Sequence, residues 1–347
     1  MKTAIISGAT GQDGSYMLEL LLEKGYDQIN CIVRRSTYVI EKGNISGDVL
    51  SHPKVKIFNS DLLDTSSLIR VFEDCKDSDE IEVYNLAAQS DVGISFQCPR
   101  STTETNYIGT LNILETIKQL DLFKKTKFYQ ASTSEMFGKV QEIPQTENTP
   151  FYPRSPYGIS KLAAHWLVKN YRESYDLFGC CGILFNHESP RRGINFVTQK
   201  IVKGIRDVML GHKEYLELGN LNSKRDWGHA KDYVEAMWLM LQQDNPDDYV
   251  VGSGVQYSVR DFVERVLTHY NTIIQWEGEG VDEIGKDSKS GKVLIKVSPE
   301  FYRPCEVDTL IADASKIKSI GWKPKISFND LIDDMVGTEP KRVLDEL

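Results

Sequence analysis

Short apolar runs alternate with amphipathic stretches through the first half of the chain. The apolar runs have the length of strands and predict β-strands at residues 3–7, 28–33, 55–59, 81–86, 126–131 and 180–185. The stretches between them repeat apolar positions every three or four residues and predict helices at residues 15–24, 66–74, 101–120 and 157–175. Because strands that alternate with helices build parallel sheets, this half predicts a doubly wound α/β fold.

The pattern becomes mixed after residue 186. It predicts helices at residues 196–209, 230–242 and 258–270, and short strands at residues 215–218, 249–251, 273–276 and 293–297. Residues 277–291 are rich in glycine and charge, which predicts a loop. We therefore expect a large nucleotide-binding domain (1–185 with about 228–252) and a smaller, interleaved mixed α/β substrate domain (186–227 and 253–340).

A glycine-rich turn separates the first predicted strand from the first predicted helix. Glycine lets a backbone approach a pyrophosphate closely, and the start of the helix offers free N–H groups and the positive end of its dipole. The turn therefore predicts a dinucleotide site in a Rossmann-like sheet. Its residues are Gly8, Thr10, Gly11, Gln12, Asp13 and Gly14.

Two arginines, Arg34 and Arg35, follow the second predicted strand, where NAD enzymes usually carry an acid for the ribose hydroxyl. An acid would repel a 2′-phosphate, whereas a guanidinium pairs with one. We interpret the pair as a preference for NADP over NAD. A basic pair at a strand end or at a subunit interface is the alternative interpretation.

Composition indicates which kinds of partner and which cellular compartment to expect. The net charge is −9 and the sequence has no basic tail, so nucleic acid is not an expected partner. Six cysteines without C-x-x-C spacing and six histidines without metal-ligand spacing predict reduced thiols and no metal site. The first strand is predicted to begin too early for a signal peptide, and no apolar run reaches the ~20 residues of a membrane span. We expect a cytoplasmic protein.

Four residues are candidates for chemistry. Tyr157 and Lys161 lie four positions apart in a predicted helix and share one face. A nearby ammonium favours the phenolate, and lowering the pKa of a tyrosine by about 3 units takes about 4 kcal/mol, which a close cation assisted by a cationic nicotinamide can supply. Thr133 follows a predicted strand, and Glu135 lies two residues later, where a carboxylate is needed only if a proton must leave carbon. The alternatives are a helix-start tyrosine with a solvated lysine, and a glutamate that complements a helix dipole.

Longer blocks of sequence resemble a known family. They read GATGQDGSY, VRRS, NLAAQS, FYQASTSEMFG, PFYPRSPYGISK, ILFNHESPRRG, KRDWGHAKDYVEAMWLML and FYRPCEVD. With them the chain resembles the GDP-mannose 4,6-dehydratases, a family of the extended short-chain dehydrogenase/reductase superfamily. The early blocks are common to the superfamily, whereas NHESPRRG and KRDWGHAKDYVEAM are much more specific.

The resemblance implies a reaction and a role for each candidate. Thr133 would hold the sugar 4-hydroxyl, Tyr157 would take its proton, and Glu135 would remove the proton on C5 and help expel the 6-hydroxyl as water. The product would be GDP-4-keto-6-deoxy-D-mannose, for fucose or rhamnose synthesis, and the NADP would stay bound and be regenerated.

The resemblance also implies binding residues. For NADP they are the glycine turn with Arg34, Arg35, Asp61, Leu62, Ala87, Ala88, Gln89, Lys161, His187 and Arg192. For GDP-mannose they are Ser90, Asn186, Lys200, Arg225, Arg303 and Glu306. A satisfied loop histidine at His187 and a solvated helix lysine at Lys200 are the alternatives.

Three questions stay open at this level. A nucleotide-sugar 4-reductase or C4 epimerase would also carry the tyrosine and lysine, but would have no use for Glu135. A non-catalytic NADP-sensing module would usually lack one of the four residues. The predicted helices at residues 101–120 and 157–175 imply, by analogy with the superfamily, a homodimer or homotetramer.

Overall fold

Apolar runs with buried side chains form the strands of the largest sheet. The computed structural model describes residues 1–34, 43–301, 307 and 309–337, so the predictions for Arg35, Arg303 and Glu306 lie outside the described residues. In chain order the strands are β1 (Lys2–Ser7), β2 (Gln28–Val33), β3 (Val55–Asn59), β4 (Glu80–Asn85), β5 (Thr126–Thr133), β6 (Phe178–Leu184), β7 (Asn186–Glu188), β8 (Leu216–Leu218), β9 (Lys224–His229), β10 (Asp248–Val251), β11 (Gln256–Ser258), β12 (Ile274–Glu277), β13 (Ile284–Asp287) and β14 (Val293–Val297).

The helices lie between these strands and after the last of them. They are α1 (Gln12–Glu23), α2 (Gly47–Leu50), α3 (Thr65–Glu73), α4 (Val92–Gln97), α5 (Pro99–Thr103), α6 (Gly109–Gln119), α7 (Pro156–Tyr175), α8 (Val197–Met209), α9 (Ala230–Leu241), α10 (Val259–Thr268), α11 (Ser315–Ser319) and α12 (Phe328–Val336). Over the stretches that the structure describes, none of these helices combines the length and apolar character that crossing a bilayer requires.

Seven parallel strands form the main sheet, in the order β10-β6-β5-β4-β1-β2-β3. One apolar layer packs α1 and α9 on one face, and a second packs α3, α6 and α7 on the other. The chain reverses its direction of travel beside β1, and ligands of such sheets bind at that point, beyond the carboxyl ends of the strands. The prediction of a doubly wound Rossmann-like sheet is confirmed.

Two small sheets make up most of the remaining structure. One has the order β11-β9-β7 and the other the order β12-β13-β14-β8, and both mix parallel and antiparallel pairs. The prediction of a loop at residues 277–291 is wrong in part, because Ile284–Asp287 pairs as β13 between β12 and β14. The expected boundaries of the two domains stay a prediction.

The helix predicted at residues 101–120 is interrupted. A π-helical turn, Glu104–Ile108, separates α5 from α6. The buried side chain of Asn106 within this turn donates to the carbonyl of Gln89 and accepts from its N–H, at 3.0 and 2.9 Å. A turn of this kind often marks a functional region, and here it fixes the chain segment that follows β4.

Candidate active site

A large cleft opens at the carboxyl ends of β1, β2, β4, β5 and β6. Its volume is about 1570 Å³, and its far wall comes from α8, β9 and the segments around them. A pocket for one small ligand usually has about 300–1,000 Å³. The cleft therefore has room for a dinucleotide and a second ligand of similar size.

The structure brings every described candidate residue to this cleft. The sequence predicted them from separate segments, and here they line one surface: Gly8, Thr10, Gly11, Gln12, Asp13, Gly14, Arg34, Asp61, Leu62, Ala87, Ala88, Gln89, Ser90, Thr133, Glu135, Tyr157, Lys161, Asn186, His187, Arg192, Lys200 and Arg225.

The glycine turn is closed by its own backbone. Gly8 has a φ of 71°, and a Cβ there would lie 2.9 Å from the backbone of Ala87. The N–H of Gly11 donates to the carbonyl of Gly8 at 3.0 Å, and a Cβ on Gly14 would lie 2.2 Å from that same carbonyl oxygen. The turn thus needs glycine at both ends, and it presents bare backbone at the start of α1, which fits a pyrophosphate.

Gly14→Ala lowers the free energy of unfolding by about 1–3 kcal/mol, since the added methyl group meets backbone that cannot rotate away. The same change weakens retention of a dinucleotide. Chemical denaturation and cofactor content measure the two effects. Gly47→Ala is the matched control, because a Cβ at Gly47, in α2, meets nothing within 4 Å. Equal effects of the two substitutions would contradict this role of Gly14.

Asp13 and His187 form a partly buried pair beside the glycine turn. The Nε2 atom of His187 lies 2.8 Å from a carboxylate oxygen of Asp13, and its Nδ1 lies 2.8 Å from the carbonyl of Phe185. Burial opposes the charges, but the pair lowers the pKa of Asp13 and raises that of His187. His187 lies in the short strand β7 with both ring nitrogens partnered, and it joins the turn to the segment after β6. Its contact with NADP stays a prediction.

Tyr157 and Lys161 share the face of α7 that meets the end of β5. The ammonium of Lys161 donates to the carbonyl of Ala131 at 2.9 Å, and burial lowers its pKa to about 8. Burial raises the pKa of Tyr157 to about 12, and a hydrogen bond with Thr133 opposes that rise. Desolvation of the phenolate therefore outweighs the positive charge of Arg192, and the lower tyrosine pKa that a cationic nicotinamide would favour stays a prediction.

Glu135 lies in a short turn between β5 and the loop to α7. Its N–H donates to the hydroxyl of Thr133 at 3.2 Å, and the 3₁₀ turn ends at Met136. A three-residue turn gives a carboxylate little helix dipole to complement, which disfavours the structural alternative. A Cβ on Gly158 would lie 2.7 Å from the Glu135 carbonyl, so the start of α7 packs directly against this turn. The charge of Glu135 also acts on Tyr157.

Basic residues line the opposite wall of the cleft. Arg225, on β9, is buried, and Asn186 starts the neighbouring strand β7. The ammonium of Lys200 lies 3.0 Å from the ring centroid of Phe301, and partial burial lowers its pKa to about 8. Lys200 is thus half-buried rather than fully solvated, and its contact with GDP-mannose stays a prediction. These charges suit the diphosphate of a nucleotide sugar.

Sequence reasoning missed three residues that support the walls of the cleft. Glu188 is buried, accepts from Thr198 at 2.6 Å and pairs with Arg192 at 3.0 Å. Phe301 covers Lys200, and Asn106 holds the segment around Gln89. The glutamate in the NHESPRRG block was the one available signal, since a buried acid needs a partner and an arginine stands four residues later.

Comparison with known proteins decides the family. The family profile described as GDP-mannose 4,6 dehydratase matches residues 5–335. The chain belongs to this family. GDP-mannose 4,6 dehydratase 2 of Caenorhabditis elegans is 50% identical over 346 residues, which cover 97% of this chain and 89% of the relative. The human GDP-mannose 4,6 dehydratase is 50% identical over 344 residues, which cover 96% of this chain and 90% of the relative.

A bacterial relative and three solved structures extend the likeness. GDP-mannose 4,6-dehydratase of Vibrio cholerae serotype O1 is 48% identical, with 97% of this chain and 93% of the relative covered. UDP-glucose 4-epimerase of Thermus thermophilus, in complex with NAD, has a TM-score of 0.77 at 24% identity, covering 96% of this chain and 97% of that one. dTDP-glucose 4,6-dehydratase of Bacillus anthracis, in complex with NAD, has a TM-score of 0.76 at 22% identity, covering 100% of this chain and 97% of that one. RMD of Pseudomonas aeruginosa, complexed with NADPH, has a TM-score of 0.74 at 21% identity, covering 99% of this chain and 100% of that one. At these identities the solved structures support the fold.

Proposed function

We propose that this chain converts GDP-mannose into GDP-4-keto-6-deoxy-D-mannose by oxidation at C4, loss of water across C5 and C6, and return of the hydride to C6. Membership of the GDP-mannose 4,6-dehydratase family supports the substrate. The observation that carries the proposal is a carboxylate, Glu135, in the same cleft as the Tyr157–Lys161 pair. A 4-reductase or an epimerase has no step for that carboxylate.

The residues divide the reaction into two proton transfers. When bound, NADP would supply the acceptor for the hydride of C4 and the donor of that hydride to C6. Tyr157 takes the proton of the 4-hydroxyl, and Thr133 holds that oxygen. Any positive charge added to the cleft lowers the pKa of the buried phenol and so favours this transfer.

The second transfer needs a base for carbon. A ketone at C4 acidifies the hydrogen on C5, and Glu135 removes it. The C6–O bond then breaks, and the oxygen leaves as water with the proton that Glu135 carries. Hydride adds to C6 and a proton from solvent adds to C5, so the net change is the loss of one water.

Three further residues support the reaction without taking or giving a proton. They are Lys161, Asp13 and His187. Lys161 is held by the Ala131 carbonyl, and the negative charge of Asp13 favours its ammonium form. We propose that the ammonium steadies the negative charge that forms on the Tyr157 oxygen. His187 keeps Asp13 ionised and in place.

The proposed cofactor is NADP. Structural neighbours crystallised with NAD or NADPH support a nicotinamide cofactor, and the glycine turn fits its pyrophosphate. The choice of NADP depends on Arg34, which lines the cleft just after β2, where an acid would select NAD. Arg35 is proposed as a second contact on the sequence alone.

Arg34→Ala raises the dissociation constant for NADP by about tenfold or more, because a charge-assisted hydrogen bond contributes about 1.5–3 kcal/mol. The dissociation constant for NAD stays within about twofold. Calorimetric titration of both cofactors measures the change, and Arg70→Ala, on the exposed face of α3, controls for the lost charge. Equal weakening of NAD and NADP would contradict a 2′-phosphate contact.

A homodimer or homotetramer is also proposed. It is supported by large apolar side chains on the outer face of α7, where Ile159 and Trp166, seven positions apart, are 56 and 54% exposed. Exposed apolar patches of this kind usually mark contacts between proteins. We propose a cytoplasmic location, which is supported by the unpaired cysteines of the described residues, four of them buried.

Mass spectrometry of the product tests the proposed function. With GDP-mannose and a catalytic amount of NADP, we expect a product lighter by one water and no net change in the cofactor. Accumulation of reduced cofactor with a ketosugar that keeps all its oxygens would support a plain oxidoreductase instead. A change of configuration at C4 without any change of mass would support an epimerase.

A further inference from the structure

A buried histidine outside the proposed catalytic set contacts the end of β5. His165 lies on α7 and is 2% exposed. Its Nδ1 atom lies 3.1 Å from the hydroxyl oxygen of Ser132, the residue before Thr133. On its other side, Nε2 lies 3.9 Å from a carboxylate oxygen of Asp248, at the start of β10.

Three residues of α7 hold three consecutive residues of β5. Tyr157, Lys161 and His165 are spaced by four and therefore share one face of the helix. Lys161 donates to the carbonyl of Ala131 at 2.9 Å, and the Nδ1 atom of His165 lies 3.1 Å from the hydroxyl oxygen of Ser132. Tyr157 lies close enough to the Thr133 side chain for that side chain to lower its pKa. We infer that His165 is a positioning residue, which acts through Ser132 to set the end of β5, and with it Thr133, against Tyr157.

The surroundings of His165 determine where its proton lies. Its charged neighbours are Asp248 on β10, with Lys169 and Arg172 on α7, which bind Asp248 at 3.2 and 2.5 Å. Burial lowers the pKa of His165 to about 4, so the ring is neutral at neutral pH. The carboxylate facing Nε2 favours the tautomer with its hydrogen on that atom. Nδ1 then accepts from Ser132, whose hydroxyl hydrogen is thereby fixed in direction.

Asp248 is itself held firmly. Its two pairings with the helix, together with its position in the edge strand β10, join α7 to the main sheet on the far side of β6. Phe151 packs its ring against His165, with ring centroids 5.5 Å apart and planes at 72°. The imidazole therefore has one orientation available, which suits a group that sets the position of another.

This inference rests on the proposed function. Its test follows oxidation at C4, a step that can be measured separately from loss of water. The readout is the single-turnover rate at which GDP-mannose reduces NADP in the loaded enzyme. His165→Phe keeps a ring and removes the acceptor, and we expect a rate about tenfold lower, with the KM for GDP-mannose within about twofold of wild type. His165→Asn places an acceptor oxygen near the position of Nδ1, and we expect a rate within about threefold of wild type.

Ser132→Ala provides an independent variant that leaves the helix untouched. We expect it to lose about as much rate as His165→Phe, and the double variant to lose no more than either single one, because both remove the same hydrogen bond. Losses that multiply in the double variant, or a wild-type rate in His165→Phe, would overturn the inference. A wild-type enzyme that reduces NADP but releases no water would overturn the proposed function and leave this inference standing.

The tautomer is checked without any turnover. In the enzyme with ¹⁵N-labelled histidines, we expect the resonances lost in His165→Phe to show a neutral ring with an unprotonated Nδ1 at neutral pH. A proton on Nδ1 would contradict the acceptor role.

Discussion

Glu135→Gln stops loss of water while oxidation at C4 continues. The amide cannot take a proton from C5, and general acid–base catalysis of this kind contributes about 10²–10⁴-fold. We therefore expect the rate of water loss to fall by at least about a hundredfold. Reduced cofactor and GDP-4-ketomannose should accumulate, up to one equivalent per site, because without loss of water the hydride can return only to C4. Nicotinamide absorbance and mass spectrometry of the quenched sugar follow the two species.

The control is the same chemical change away from the cleft. Glu173→Gln, on an exposed part of α7, removes a carboxylate without touching the candidate site, and we expect wild-type rates. A Glu135→Gln enzyme that loses water at the wild-type rate would contradict the assignment of the carbon base. An enzyme unable to oxidise C4 would show that Glu135 acts earlier than proposed.

Tyr157→Phe stops the reaction before any oxidation. The phenol is the only group in the proposed set that takes the proton of the 4-hydroxyl, so we expect cofactor reduction and water loss to fall together, by about 10²–10⁴-fold. Stopped-flow absorbance measures the first and mass spectrometry the second. A variant that still reduces NADP at the wild-type rate would contradict the assignment.

Tyr129→Phe is a matched control for that change. Tyr129 lies on β5 and is fully buried, and its hydroxyl has no hydrogen-bond partner among the described residues. Removing that hydroxyl leaves no polar group unpaired, so we expect unchanged stability and activity. The pair of variants separates loss of a buried tyrosine hydroxyl in general from loss of the one that faces the cleft.

The main sheet could be predicted from the sequence because its strands are continuous apolar runs. Parallel strands buried on both faces, such as β1, β4 and β6, differ from their predicted bounds by one or two residues. The short strands could not be predicted in the same way. Three residues, as in β7 and β11, are too few to show a period, and their pairing partners are distant in sequence.

In the candidate site, too, local sequence patterns predicted some features, whereas others depend on how the chain packs. Spacing alone placed Tyr157 and Lys161 on one helix face, and the glycine turn indicated the dinucleotide. The direction of the pKa shift of Tyr157 depends on burial, which sequence does not show. The bond between His165 and Ser132 joins residues 33 positions apart through the packing of α7 on β5, and no local pattern reports it.

Deuterium at C5 tests the central claim most directly. The proton that Glu135 removes from C5 leaves with water, so turnover of GDP-mannose in deuterium oxide should give a product with one deuterium at C5. The ketosugar formed by the Glu135→Gln enzyme in the same solvent should keep its original hydrogen there. Deuterium entering C5 in that variant at the wild-type rate, or a wild-type product without deuterium at C5, would contradict Glu135 as the carbon base.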